Sequence, residues 1–258
     1  MKLNTIVSGV ETDLPPLVIA HGLFGSGRNW GAIARRLSET RRVIAVDHRN
    51  HGDSPWDPDH SYAALAADLA EVIVGAGGRA AVLGHSMGGK AAMVLALTRP
   101  GLVERLIVAD VAPVAYRHDQ MENILAMRAV ELGRVSRRSD ADAMLAAHVA
   151  DPALRAFFLQ SLRVGPDGAG WRLNLDALAD QMPSILGFPE LPGCYEGETL
   201  FVTGENSGYV RERNWPGIRA LFPKARREVI AGAGHWLHAE APGPFLAAVT
   251  AFLDAPGA

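Results

Sequence analysis

The residues of this 258-residue chain best placed for chemistry are Gly84-His85-Ser86-Met87-Gly88. A serine with glycine two positions to either side suits a sharp strand-to-helix turn that exposes the hydroxyl. The helix that follows such a turn aims free N–H groups at negative charge developing on a substrate. The apolar run Ala80–Gly84 before the serine and the helix-forming run Lys90–Leu97 after it supply that context. A serine hydroxyl is a poor nucleophile until a base takes its proton. Among nine histidines, His235 follows the last strand-like run and precedes the last helical one, in a glycine-rich loop able to carry an imidazole over the turn. His238 falls nearer the helix start and is expected to be structural. The base in turn needs a carboxylate to fix its tautomer. Asp110 and Glu205 each end a strand-like run and lie between serine and histidine in the chain. Asp110, directly at a strand end, is the first choice and Glu205 the alternative.

Acyl transfer at such a serine also needs two N–H donors for an oxyanion. The expected donors are the amide of Met87, next after the serine, and that of Leu23 in the loop His21-Gly22-Leu23-Phe24-Gly25, with Phe24 as the alternative. Phe24, Met87 and Trp236 are the expected substrate-lining side chains. His21 and His85 read as braces for these loops. His48 and His51 lie close in sequence, but they form no metal-ligand pattern, so neither a metal nor a cofactor is expected.

These residues must be held by a framework, and the composition bounds it. Hydrophobic residues are 48% of the chain and charged residues 21%, which excludes disorder, collagen and coiled coil as the main architecture. The net charge of −3 gives no basic footprint for nucleic acid. The single cysteine, Cys194, excludes an intramolecular disulfide or a cysteine-based zinc cluster. No apolar run approaches the roughly 18 residues of a membrane helix, and the N-terminus lacks a signal-peptide core, so a cytoplasmic protein without a membrane partner is expected. Only Lys2, Lys90 and Lys224 are lysines, a bias that fits a GC-rich bacterial genome.

Short apolar runs at Leu17–Ala20, Val43–Asp47, Ala80–Gly84, Leu106–Asp110, Leu200–Thr203 and Glu228–Ile230 predict buried parallel strands. The N-terminal segment alternates polar and apolar residues and predicts an edge strand. Helical patterns at Trp30–Leu37, Tyr62–Ile73, Lys90–Thr98 and Pro244–Leu253 alternate with them, giving an α/β fold with a mostly parallel sheet. From Val114 to Phe188 only helical patterns are read: Met121–Leu132, a helix from the N-cap Ser139 to Val149, Ala153–Val164 behind Asp151-Pro152, and Leu175–Leu186. That length exceeds an ordinary crossover and predicts a helical insertion.

Together, Asp47-His48-Arg49-Asn50-His51-Gly52-Asp53-Ser54-Pro55, Gly84-His85-Ser86-Met87-Gly88-Gly89-Lys90 and Val108-Ala109-Asp110-Val111-Ala112-Pro113-Val114 resemble the α/β-hydrolase superfamily. Within it they are similar to the branch of abhydrolase domain-containing protein eleven and its small bacterial esterase relatives. Most of the superfamily carries Arg-Gly-x-Gly where this chain has Arg49-Asn50-His51-Gly52, and the usual Gly-x-x-Asp is absent at Glu205-Asn206-Ser207. The resemblance implies a serine esterase acting on small acyl esters or thioesters, with the triad acid at Asp110. It also implies a core of residues 1–113 and 189–258 under a helical cap, 114–188, inserted after the sixth strand. Carbon–carbon bond hydrolases and cofactor-free haloperoxidases keep the same serine–histidine pair, and non-catalytic receptors also use the fold, so these remain alternatives.

Overall fold

The computed structural model describes residues 1–117 and 120–255. Strands β1 (Thr5–Ser8), β2 (Leu17–Ala20), β3 (Val43–Val46), β4 (Ala80–His85) and β5 (Val103–Ala109) come first. After a hairpin of β6 (Leu162–Gly165) and β7 (Gly168–Trp171) come β8 (Thr199–Gly204) and β9 (Ala225–Ile230). Seven strands form one sheet in the order β1-β3-β2-β4-β5-β8-β9. Only β1 is antiparallel, pairing Thr5 with Val46 and Ser8 with Val43. It is the edge strand its alternating sequence predicts.

The inner strands read as unbroken apolar runs because helices cover both faces of a parallel sheet. Alternation then divides their side chains. Val18, Ala20, Val82 and Val108 join one buried cluster with Leu65 and Leu69 of helix α2 and Ala91 and Leu95 of α3. Leu17, Ile19, Leu83 and Ile107 join the other, with Ile33 and Leu37 of α1 and Phe245 and Val249 of α11. These helices span Gly31–Leu37 (α1), Tyr62–Gly75 (α2), Met87–Thr98 (α3) and Pro242–Asp254 (α11). The far edge, β9, carries exposed Arg226, Arg227 and Glu228, charges that discourage edge-to-edge pairing.

Between β5 and β8 the chain forms α4 (Met121–Arg128), α5 (Arg138–Leu145), α6 (Pro152–Gln160), the β6–β7 hairpin, α7 (Leu175–Asp180) and α8 (Met182–Leu186). This corrects the sequence reading in several respects. The insertion follows the fifth strand in chain order, not the sixth, and it is not all helical. The helix expected over Ala153–Val164 stops at Gln160, and Leu162–Trp171 turns back as an antiparallel pair. Helix α5 begins at Arg138, so Ser139 lies inside it. The carboxylate of Asp140 instead accepts from the Ser136 and Arg137 amides. Leu175–Leu186 is two helices, with Pro183 in the first turn of the second, where its missing N–H is harmless. Beyond β8, α9 (Trp215–Leu221) and α10 (Leu237–Glu240) complete the elements.

The insertion shares the larger core cluster, through Ile124, Met127, Leu145, Phe158 and Leu178. Polar contacts also tie it to the loops beneath. Ser161 Oγ donates to the Phe24 carbonyl at 3.0 Å, and Tyr62 Oη to the Ile185 carbonyl at 2.6 Å.

Candidate active site

Strand β4 ends at His85 and α3 begins at Met87, leaving Ser86 alone in the turn with φ +52° and ψ −120°. A non-glycine residue held there costs on the order of 1–3 kcal/mol, which the surroundings must supply. The Ser86 amide donates to the Ala109 carbonyl at 3.0 Å, and its carbonyl accepts from the Lys90 amide at 3.0 Å. The flanking glycines are steric necessities. A Cβ at Gly84 would stand 2.3 Å from the Gly88 carbonyl oxygen, and one at Gly88 2.3 Å from the Ala20 carbonyl oxygen.

Asp110 follows β5 in the neighbouring turn and also has positive φ, +52°. It is fully buried. Its Oδ1 accepts from the Gly204 amide at 3.1 Å, and its Oδ2 accepts from Ser207 Oγ and, at 2.7 Å, from His235 Nδ1. A proton on Nδ1 leaves Nε2 of His235 as the lone-pair nitrogen. Tyr209 stacks flat on the imidazole, with centroids 3.9 Å apart and planes 14° apart, and His85 Nε2 donates to the His235 carbonyl at 2.9 Å. The histidine is thus held by its ring, its backbone and one nitrogen.

Glu205 is not brought to this histidine. It is exposed, and its Oε2 accepts from the Gly232 amide at 2.7 Å. His238 stacks on Trp30 with centroids 4.1 Å apart, and burial pushes its pKa down to about 4. Cys194 is exposed and donates to Glu196.

The loop after β2 lies against the serine. A Cβ on Gly22 would stand 3.2 Å from Cβ of Ser86. Phe24 has φ +64°, and its amide donates to Nε2 of His51 at 3.2 Å, so that N–H is already committed. His51 Nδ1 lies 3.0 Å from the Arg49 carbonyl, a geometry that assigns the proton to Nδ1. His21 repeats the arrangement, with Nδ1 donating to the Gly22 carbonyl at 2.7 Å and Nε2 accepting from the His48 amide at 3.0 Å. Loss of solvation, reinforced by neighbouring histidines, lowers His21 and His51 to about 3 and His60 to about 2. These rings are therefore neutral braces. Among the described residues no group of histidine, cysteine and acidic side chains is disposed to hold a metal ion.

Ser86, Met87, Leu23, Phe24, His235 and Trp236 all face one cavity of about 280 Å³. Residues 15–242 match the family described by the alpha/beta hydrolase fold. The chain belongs to the α/β-hydrolase family. It is 43% identical over 252 residues to the sn-1-specific diacylglycerol lipase ABHD11 of Mus musculus, covering 94% of this chain and 82% of that one. It is 40% identical over 260 residues to esterase YbfF of Escherichia coli, covering 98% and 100%. Among solved structures it is similar to a marine microorganism esterase, with a TM-score of 0.92 and 34% identity over 97% of this chain and 99% of that one. These relatives bear out the branch to which the sequence motifs pointed.

In this hydrolase several site neighbours carry no sequence signal that reasoning from motifs could use. Ser207 reaches Asp110 and Tyr209 reaches His235 from the loop after β8, where the sequence draws attention only to Glu205. His51 stands in no metal-ligand pattern, and its contact with the Phe24 amide joins segments 27 residues apart. Among the described residues no helix is long and apolar enough to cross a membrane.

Proposed function

We propose that this ester hydrolase works through a covalent acyl-enzyme carried on Ser86, with His235 as general base and acid and Asp110 as its orienting carboxylate. The observation that carries the reading is the 2.7 Å contact of His235 Nδ1 with Asp110 Oδ2 beside a serine on a strained turn in the same cavity.

Ser86 Oγ attacks the acyl carbonyl while its proton passes to Nε2 of His235, and the C=O electron pair becomes an oxyanion. The amides of Met87 and Leu23 donate to that oxygen; the Phe24 amide is occupied by His51. Collapse expels the alcohol or thiol, which takes the proton from Nε2. Water then loses a proton to Nε2 and attacks the acyl-serine; collapse breaks the bond to Oγ, which takes the proton back from Nε2 as the carboxylic acid departs. Asp110 stays ionised throughout and stabilises the imidazolium. Residues 114–188 act as the cap that closes the acyl pocket, with Phe24, Met87 and Trp236 among its apolar walls.

The test is a chain-length series of p-nitrophenyl esters from acetate to octanoate, with acyl-CoA thioesters alongside. Folded protein should turn over at least one of them with a pre-steady-state burst of p-nitrophenol. Ser86→Ala should lose roughly 10³-fold or more of that rate. Failure on every ester and thioester by folded protein would overturn the proposal.

A further inference from the structure

Lys90 lies one turn beyond Ser86 on α3, about 6 Å further along the helix axis at 1.5 Å per residue. It is 2% exposed, yet it lines the same cavity as the serine. Its ammonium donates to two neutral carbonyls, Leu186 at 2.9 Å and Gly187 at 2.5 Å, and lies 4.7 Å from the ring centre of Tyr116 and 5.7 Å from that of Tyr62. Carbonyl dipoles and ring faces solvate a cation without neutralising it. The buried guanidinium of Arg49, by contrast, meets a carboxylate of Asp68 at 2.7 Å. Burial, with no acidic group opposing it among the described residues, lowers the Lys90 ammonium to about 7.

A buried ammonium without a counter-charge is costly, and the cost is relieved either by loss of its proton or by the arrival of an anion. The leaving group of an ester must depart toward solvent, so the enclosed end holds the acyl half. The cavity lining also differs in chemistry from place to place. Half-buried Phe157 packs on Phe158 and half-buried Trp236, whereas the buried Lys90 ammonium lies against the rings of Tyr116 and Tyr62.

We propose that the part of the cavity lined by Lys90 is a carboxylate subsite, and that the favoured substrates are esters or thioesters whose acyl chain ends in a carboxylate. The proposal rests on the acyl-enzyme reading above and adds a substrate class to it. The incoming carboxylate accepts a charge-assisted hydrogen bond from the ammonium, restores its charge, and fixes the acyl chain over Ser86. The carbonyls of Leu186 and Gly187 hold the ammonium in place before substrate binds.

The experiment compares p-nitrophenyl hexanoate with the p-nitrophenyl monoester of adipate, a chain of the same carbon number ending in a carboxylate. Wild type should have kcat/KM for the adipate ester at least equal to that for the hexanoate. Lys90→Met, nearly isosteric and without charge, should lower the adipate-to-hexanoate ratio of kcat/KM by roughly tenfold to a hundredfold, the worth of one charge-assisted contact. Lys90→Arg should retain most of the ratio. Equal losses on both esters in Lys90→Met would show that the lysine only pins the Leu186–Gly187 segment, and would overturn the proposal. A wild-type preference for hexanoate above tenfold would overturn it without any variant. Turnover of neither ester by folded wild type would remove the acyl-enzyme reading itself, and this inference with it.

Discussion

Replacing His51 by phenylalanine should impair turnover although His51 touches neither the acyl group nor the serine. The imidazole accepts the Phe24 N–H at 3.2 Å through Nε2 and is anchored by Nδ1 to the Arg49 carbonyl at 3.0 Å. Phenylalanine fills similar volume and removes both contacts. A buried N–H left without an acceptor costs about 1–3 kcal/mol. Phe24 also sits at φ +64°, a conformation that costs about as much and must be held by its surroundings. With the tether gone the cheapest response is for residues 22–25 to relax, and the neighbouring Leu23 amide moves with them. Loss of one oxyanion donor is worth about 10²–10³ in kcat, so partial displacement should lower kcat roughly 10- to 100-fold. KM should change by less than about threefold, because the donor acts mainly on the transition state. His51→Gln, whose amide oxygen can replace Nε2 as acceptor, should recover to within about tenfold of wild type. Thermal unfolding should fall by about 2–12 °C in His51→Phe, from 1–3 kcal/mol at about 2–4 °C each for a chain of this size. The assay is steady-state hydrolysis of a p-nitrophenyl ester with a melting curve on each variant. Full kcat in a destabilised His51→Phe would refute the link from this histidine to the oxyanion loop.

Two further outcomes follow from the same geometry. Asp110→Asn should lower kcat by about 10⁴-fold while Glu205→Gln stays within about twofold, since only Asp110 contacts His235; comparable losses in the two would reverse the assignment of the acid. Stability should fall in acid. His21, His51, His60 and His238 are held neutral with folded values lowered to about 3, 3, 2 and 4, whereas an unfolded histidine titrates near 6.5. The unfolded chain therefore binds more protons, so their contribution is present above about pH 6.5 and is lost as the pH falls toward the folded values. The urea midpoint measured from pH 7.5 to 4.5 should drop most steeply below 6.5, and a flat profile would contradict the neutral-brace picture.

Much of the framework could be read from the sequence because the inner strands are buried on both faces. Runs such as Leu17–Ala20 and Ala80–Gly84 carry no polar interruption, and their ends coincide with the strands to within a residue. The hairpin Leu162–Trp171 was not seen because its strands, Leu-Arg-Val-Gly and Gly-Ala-Gly-Trp, are too short and glycine-rich for a period-two pattern. Its turn signal, Pro166-Asp167-Gly168, was present, with Gly168 at φ +99°. Helix α9 was hidden by Pro216 and Gly217 in its first turn. At the candidate site, Ser86 and Asp110 directly follow the ends of β4 and β5, and His235 lies in the glycine-rich loop after β9, places that the ends of the apolar runs mark in the sequence. The contacts of Tyr209, Ser207 and His51 were not, because each joins segments distant in sequence and leaves no local pattern. Lys90 stands inside a motif, but nothing in its spacing tells that its ammonium is buried against the carbonyls of Leu186 and Gly187.

The claim on which everything else depends is that Ser86 forms a covalent bond during turnover. Incubation of the folded protein with a fluorophosphonate, followed by digestion and mass spectrometry, tests it without knowledge of the natural substrate. One adduct per chain on the peptide containing Ser86, abolished in Ser86→Ala and strongly slowed in His235→Ala, is the predicted result. No adduct on folded wild-type protein, or an adduct that survives Ser86→Ala, would contradict it.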